Sequence, residues 1–134
     1  MTHFNPERAT LKTREALAAA QAKARQDQHP QIDSVHLLHA VVNQEGGVGG
    51  PLLARVGVHA SALHGAIDDH FAKQPRVSWG NLGPTPELGR VLDQAAAEAE
   101  AMRDSFVSTE HLLLAFVPEG RAGRRILAGE LLTT

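Results

Sequence analysis

The sequence contains no cysteine, and this absence excludes several kinds of chemistry. Without thiols the chain can form neither disulfide bonds nor thiolate metal sites, and it cannot use a cysteine nucleophile. The absence agrees with a reducing compartment. A chain of 134 residues suits one compact domain, which buries roughly two-thirds of the surface that its unfolded form exposes and needs no covalent cross-links.

An excess of charge and long apolar runs are also missing. The chain has 13 Lys and Arg against 15 Asp and Glu, and no basic stripe interleaved with aromatic residues favours a grip on nucleic acid. No apolar run approaches the ~20 residues of a membrane helix, and the first residues, Met1–Pro6, lack the pattern of a secretory signal. We therefore expect a cytoplasmic protein that binds neither nucleic acid nor membrane.

Aromatic residues are scarce, at 4% of the chain, whereas alanine and leucine are abundant. Both of these residues are strong helix formers. No segment alternates β-branched and polar residues in the manner of a strand. The composition and the pattern together predict an all-α fold class.

The chain repeats itself. The segment His36–Val42 recurs as His111–Val117, an offset of 75 residues, and the same offset applied without gaps makes ten of 33 pairs identical from Thr10 and Thr85 onward. We interpret this similarity as an internal duplication. The sequence predicts one domain, 1–134, of two pseudo-symmetric helical repeats: repeat one at about 10–73, a linker at about 74–84 and repeat two at about 85–134.

Helical periodicity marks the long helix of each repeat. Thr85 is a good N-cap, and Pro86 at the first helical position loses no hydrogen bond. Apolar residues then recur at helical spacing and predict one buried stripe: Leu88, Val91, Leu92, Ala95, Ala96, Ala99 and Met102. The matching helix of the first repeat begins near Thr10 and should bury Ala16, Leu17, Ala20 and Ala24.

Shorter helices follow the long ones. We expect one at about Ser34–Asn43, capped by Asp33 or Ser34, and its counterpart at about Thr109–Val117, capped by Ser108. The glycines of Gly46–Gly50 predict a break, followed by helices at Pro51–Val56 and about Ala60–Lys73. Nothing after Leu127 matches the last of these, so the second repeat is expected to be truncated, in a fragment or in a chain that has lost its final helix.

Several segments resemble the Clp N-terminal domain, the double-repeat module at the front of Clp-type ATP-dependent unfoldases. In the first repeat they are Thr13–Leu17, Ile32–Leu38 and Asn43–Gly47, and in the second they are Thr85–Leu88, Val91–Leu92 and Arg103–Ala115. Within the family, Gln44–Gly47 and Pro75–Val77 look most like the ClpB-type protein disaggregases. The chain departs from the family pattern at Ala9, where a large apolar residue is usual, and at Arg103, where glycine is usual.

The resemblance implies a domain that binds unfolded or aggregated polypeptide and passes it to a hexameric ATPase. It implies a homohexamer that uses ATP and Mg for a full-length protein, and a monomer without cofactor for this chain. The sequence has no P-loop motif G-x-x-x-x-G-K-[ST] and no G-x-S-x-G nucleophile turn, so we expect no catalytic residues. Two alternatives stay open: an adaptor-docking domain of a protease-coupled unfoldase, and a free-standing regulator.

By the same resemblance, Thr10, Asp104 and Glu110 match positions linked to substrate engagement. Helix capping is the alternative for all three, because hydroxyls and carboxylates are favoured at helix starts. The two roles are compatible. The resemblance also implies an apolar groove between the repeats, for which the candidate lining residues are Leu88, Val91, Leu11 and Phe106.

His36 and His111 occupy equivalent positions, and we expect each to be partly buried and hydrogen-bonded within its own repeat. A metal site at His36 and His39, three residues apart on a helix, is the alternative. Leu114 replaces the counterpart of His39, and structural zinc prefers four ligands. The sequence therefore predicts no metal site.

Overall fold

The computed structural model describes residues 2–55, 57–78 and 82–116. Helices dominate this part of the chain, which confirms the all-α class. None of the helices in these ranges is long and apolar enough to cross a bilayer. After a short 3-10 turn at Pro6–Arg8, the elements are α1 (Leu11–Gln26), β1 (Gln31–Ile32), α2 (Ser34–Asn43), α3 (Gly49–Arg55), α4 (Ala60–Ala72), β2 (Gly83–Pro84), α5 (Pro86–Ala101) and α6 (Thr109–Ala115).

Most helix boundaries follow from local capping. Thr10 and Thr85 are the N-caps of α1 and α5, and each hydroxyl accepts a hydrogen bond from the backbone N–H three residues later. Asp33 caps α2 through the N–H groups of Val35 and His36. These caps satisfy donors that the first helical turn leaves without a partner.

The predicted glycine-rich break extends two residues too far toward the C-terminus. Helix α3 begins at Gly49 rather than at Pro51, because its first turn packs closely on α2. A Cβ atom at Gly49 would lie 2.7 Å from the carbonyl oxygen of Val41, so only glycine fits there without a shift. The predicted end of this helix, Val56, lies outside the described residues.

Two further predictions need correction. Met102 was placed in the buried stripe, but α5 ends at Ala101 and Met102 is 53% exposed in the turn that follows. The linker predicted at about 74–84 contains a short strand, since Gly83–Pro84 forms β2 and pairs in parallel with β1. The end of α6 also differs, since the helix stops at Ala115. The predicted truncation of the second repeat concerns residues outside the described ranges.

The two repeats complete each other through their backbones. The N–H of Thr10 donates to the carbonyl of Val107 at 3.0 Å, and the N–H of Thr85 donates to the carbonyl of Ile32 at 2.9 Å. The 75-residue offset makes Thr10 equivalent to Thr85 and Ile32 equivalent to Val107, so the two bonds are equivalent to each other. We call the first contact, between Ala9–Thr10 and Val107, the Thr10 seam, and the second, between β2–Thr85 and β1, the Thr85 seam.

The core lies between the long and short helices of both repeats. The contacts of α1 with α2 and of α5 with α6 are the most extensive, and small alanines let these helices approach closely. Of the predicted buried positions, Leu17 and Leu92 are only partly buried. The others, apart from Met102, are buried as predicted: Ala16, Ala20, Ala24, Leu88, Val91, Ala95, Ala96 and Ala99.

Candidate functional site

Thr10 anchors the start of α1 to the second repeat. Its hydroxyl accepts from the N–H of Thr13 at 3.2 Å and donates to the Thr13 hydroxyl at 2.9 Å. The Thr13 hydroxyl in turn donates to the carbonyl of Val107 at 2.9 Å. Thr10 is therefore a cap, as the alternative interpretation expected, and it also lies on the seam between the repeats.

Asp104 follows α5 and is held by a buried histidine. Nε2 of His111 lies 2.9 Å from Oδ2 of Asp104. The N–H of Ser108 donates to Nδ1 of the same ring at 2.9 Å, so the ring proton must lie on Nε2, which donates to Asp104. Asp104 is therefore no cap for α6. Its side chain is 49% exposed and held at the surface.

Glu110 lies in the first turn of α6, and its side chain is exposed. In the described part of the chain no hydrogen bond or ion pair involves its carboxylate. Val107, which pairs with Thr10, is three residues from both Asp104 and Glu110. Asp104 and Glu110 thus lie within three residues of the Thr10 seam in the chain, while the role of all three residues in binding stays a prediction.

The structure separates the four candidates for an apolar lining. Leu88 and Val91 are buried in the core, whereas Leu11 is 65% and Phe106 is 51% exposed. Each exposed residue is next in the chain to a residue of the Thr10 seam. Leu114, which the sequence argument missed, is also exposed and lies one turn after Glu110 on the same face of α6. Its signal was an apolar residue at the position of His39 in the first repeat.

The Thr85 seam lacks this exposed polar and apolar combination. The counterparts of Asp104 and Glu110 there are His29 and Val35, and both are buried. The pseudo-symmetric fold therefore has two equivalent seams, and only the Thr10 seam presents exposed carboxylates at these positions.

The predicted burial of His36 and His111 within their own repeats is confirmed. The N–H of Asp33 donates to Nδ1 of His36 at 2.9 Å, as Ser108 does for His111. The proton of His36 therefore lies on Nε2, which donates to Nδ1 of His29 at 2.8 Å. Within the described ranges no group of three or more His, Asp or Glu side chains is arranged to hold a metal ion.

Electrostatics differ between the buried groups around His36. Burial lowers the pKa of His29, and the neighbouring His36 lowers it further. Burial raises the pKa of Asp33, but its interactions with His36 and His70 outweigh that effect and hold this pKa far below its ordinary value. The imidazole of His29 is therefore favoured in its neutral form and the Asp33 carboxyl in its charged form.

Both long helices end in the same left-handed turn. Gln28 and Arg103 have φ values of 58° and 59°, and the residues after them, His29 and Asp104, donate to carbonyls five residues earlier. This is the Schellman arrangement, which usually takes glycine at the left-handed position. The turn places His29 and Asp104 against the histidines of the short helices.

The fold and the seam define a helical double-repeat module with an exposed polar and apolar surface beside the Thr10 seam. A family model described as the Clp repeat N-terminal domain matches residues 8–129. The chain therefore belongs to the Clp repeat N-terminal domain family, as the sequence resemblance implied.

A curated relative, chaperone protein ClpB 1 of Synechococcus elongatus, is 40% identical over 128 residues, or 92% of this chain. The chain spans only 14% of the length of that relative. The Hsp104 N-terminal domain from Candida albicans has a TM-score of 0.80 at 22% identity, over 91% of this chain and 81% of its own. The N-terminal domain of the ClpV1 ATPase of Escherichia coli has a TM-score of 0.79 at 21% identity, over 95% and 83%. Both structures show the same fold.

Proposed function

We propose that this chain is the N-terminal, substrate-engaging domain of a ClpB-type ATP-dependent chaperone and that it binds unfolded or aggregated polypeptide. On this proposal the domain acts in the cytoplasm as a monomeric binding module without a cofactor of its own. A full-length protein would supply the hexameric assembly and the use of ATP and Mg.

The observation that carries the proposal is the composition of the Thr10 seam. Exposed Leu11 and Phe106 lie next to the seam residues, with the carboxylates of Asp104 and Glu110 close by in the chain. Exposed apolar side chains rimmed by polar groups are characteristic of binding surfaces. An unfolded polypeptide offers apolar side chains together with backbone N–H groups that need acceptors.

The test is a residue-resolved NMR titration with an unfolded polypeptide such as casein. We expect shifts to cluster around Thr10, Asp104 and Glu110, and Thr10→Ala to weaken them while the fold is kept. Thr85→Ala is the matched control, because it removes the equivalent cap at the other seam. Both variants lose about 1 kcal/mol of cap stability, and Thr10→Ala also loses the hydrogen bond to the Thr13 hydroxyl. The affinities are therefore compared under conditions in which both variants are fully folded.

The absence of shifts at about 1 mM polypeptide, equivalent to a binding free energy weaker than about −4 kcal/mol, would refute the proposal. An equal effect of Thr10→Ala and Thr85→Ala would also count against the Thr10 seam. The coding DNA after Thr134 distinguishes a domain of a longer ATPase from a free-standing regulator.

A second candidate is docking of a folded adaptor, for which the exposed Leu11 and Phe106 would equally serve as contact residues. A folded partner presents a fixed surface, so binding would be tight and stoichiometric. Unfolded polypeptide would then give no saturable shifts. The same titration, repeated with proteins captured from the host, separates the two functions.

A further inference from the structure

We infer that His111 is a positioning residue of this binding surface, because its buried ring fixes the carboxylate of Asp104 at the Thr10 seam. The inference rests on the proposed function and adds a residue that does not itself touch the polypeptide. Sequence reasoning assigned His111 only a hydrogen bond within its own repeat.

One chain of hydrogen bonds joins the start of α6 to the surface. The N–H of Ser108 donates to Nδ1 of His111, and Nε2 of His111 donates to Oδ2 of Asp104, each at 2.9 Å. The backbone N–H of Asp104 also donates to the carbonyl of Ala99 at 2.9 Å. Asp104 is thus held through its backbone and one carboxylate oxygen. Among the described residues nothing donates to its other oxygen, Oδ1, which can accept from a ligand.

Helix capping alone does not explain this arrangement. A cap needs only Nδ1, and the usual glutamine or glutamate of a capping box performs the same function. The second ring nitrogen of His111 is directed to an exposed carboxylate. In the first repeat the equivalent nitrogen of His36 donates to His29, which is buried. The equivalent histidines therefore donate to an exposed carboxylate in the second repeat and to a buried histidine in the first.

Fixing the carboxylate in advance favours binding. A free aspartate loses rotamer freedom when a ligand orders it, and that loss weakens the affinity. A hydrogen bond from a buried donor to a carboxylate is among the stronger kinds. The donor is itself held in place, because the ring of His111 is buried and the N–H of Ser108 donates to its other nitrogen.

The experiment compares His111→Gln with His36→Gln. Glutamine can accept the capping-box bond through Oε1 in both helices, but its flexible side chain does not hold a donor fixed against Asp104 or His29 as the imidazole ring does. We expect His111→Gln to weaken the Kd for unfolded casein roughly three- to tenfold, and His36→Gln to leave it unchanged within about twofold. In an Asp104→Ala background, His111→Gln should weaken the affinity no further.

Failures of the inference and of the proposed function give different results. If Asp104→Ala weakens binding and His111→Gln does not, His111 has no positioning role and the proposed function stands. If the unmodified chain gives no shifts with casein, the proposed function fails. If Asp104→Ala and Thr10→Ala both bind as the unmodified chain does, the Thr10 seam is not the binding surface and the inference is overturned. Equal losses in His111→Gln and His36→Gln would show a general structural effect and overturn the inference.

A measurement on the unmodified chain covers the case in which His111→Gln does not fold. With ¹⁵N-labelled imidazole rings, the Nε2–H signal of His111 should shift as casein saturates the domain, while that of His36 stays in place. A His111 signal that does not move at saturation would overturn the inference.

Discussion

Nε2 of His36 donates a hydrogen bond to Nδ1 of His29 across 2.8 Å, inside the first repeat. The ring of Phe71 stacks on His36 with the ring centroids 4.8 Å apart. Since Nε2 of His36 carries the proton, Nδ1 of His29 must be without one. A proton on that atom would set two N–H groups face to face and break the contact between α2 and the turn after α1.

Stability should therefore fall when the solution is acidified. Burial lowers the pKa of His29 and also that of His39, so below their ordinary value of about 6.5 the unfolded chain binds more protons than the folded one. The stabilisation is complete above about pH 6.5 and is lost as the pH falls toward the folded pKa values. We expect Tm to decrease between pH 7 and pH 5 in calorimetry.

His29→Asn is the control for this prediction. The asparagine oxygen can accept the hydrogen bond from His36, and the residue does not titrate. The variant should show a smaller decrease of Tm over the same pH range, with His39 responsible for the remainder. An unchanged pH dependence in His29→Asn would exclude His29 as the source. Asp33 does not interfere, because its lowered pKa affects stability only below about pH 4.

Arg103→Gly should stabilise the domain. Arg103 has a φ of 59°, a left-handed conformation that costs a residue with a side chain about 1 kcal/mol and glycine almost nothing. We expect a gain of about 0.5–1 kcal/mol in urea unfolding, since glycine also makes the unfolded chain more flexible. Arg25→Gly, inside α1, should instead destabilise by about 1 kcal/mol. Loss of stability in Arg103→Gly would contradict the argument.

Thr13→Val tests the polar contact that ties α1 to the second repeat. Thr13 is fully buried, and its hydroxyl donates to the carbonyl of Val107 at 2.9 Å. Valine has nearly the same shape, so the change removes this hydrogen bond together with the one from the Thr10 hydroxyl, and it leaves a buried carbonyl with fewer partners. We expect a loss of about 1–3 kcal/mol. A difference below about 0.3 kcal/mol would mean that this bond adds nothing net to stability.

Gly49→Ala and Gly65→Ala should have opposite effects. A Cβ at Gly49 would meet the carbonyl oxygen of Val41 at 2.7 Å, whereas at Gly65, inside α4, no heavy atom of the described residues beyond the adjacent helix backbone lies within 4 Å. Gly49→Ala should cost about 1–3 kcal/mol through overpacking. Gly65→Ala should add about 0.5–1 kcal/mol through helix propensity. Stabilisation in both variants would show that α3 can move away from α2 freely.

The features predicted well from the sequence are those decided by neighbouring residues. The threonine caps and the ends of α2 depend on side chains within a few positions, so their pattern was sufficient. The start of α3 at Gly49 depends on contact with Val41, and β2 depends on pairing with β1. Such contacts join distant segments and leave no local periodicity.

The candidate site was predicted only in part, for a similar reason. The resemblance indicated Thr10, Asp104 and Glu110, but helical spacing could not decide whether Leu11 and Phe106 are buried, because both lie at the edges of elements. The predicted burial of Met102 was wrong for the same reason, because this residue lies one position after the end of α5. The hydrogen bond between His111 and Asp104 joins two turns that come together only in the folded chain.

The backbone hydrogen bonds at the two seams are reciprocal, since each repeat supplies a carbonyl acceptor for an N–H group of the other. The N–H of Thr10 needs Val107, and the N–H of Thr85 needs Ile32. A single copy of the repeat could form the same bonds by pairing with a second copy of itself, in a two-fold symmetric arrangement. The present chain joins that pair covalently, so its two halves could diverge and one seam could gain carboxylates that the other lacks. Cutting the chain between the repeats should therefore yield two fragments that reassemble with each other rather than fold alone.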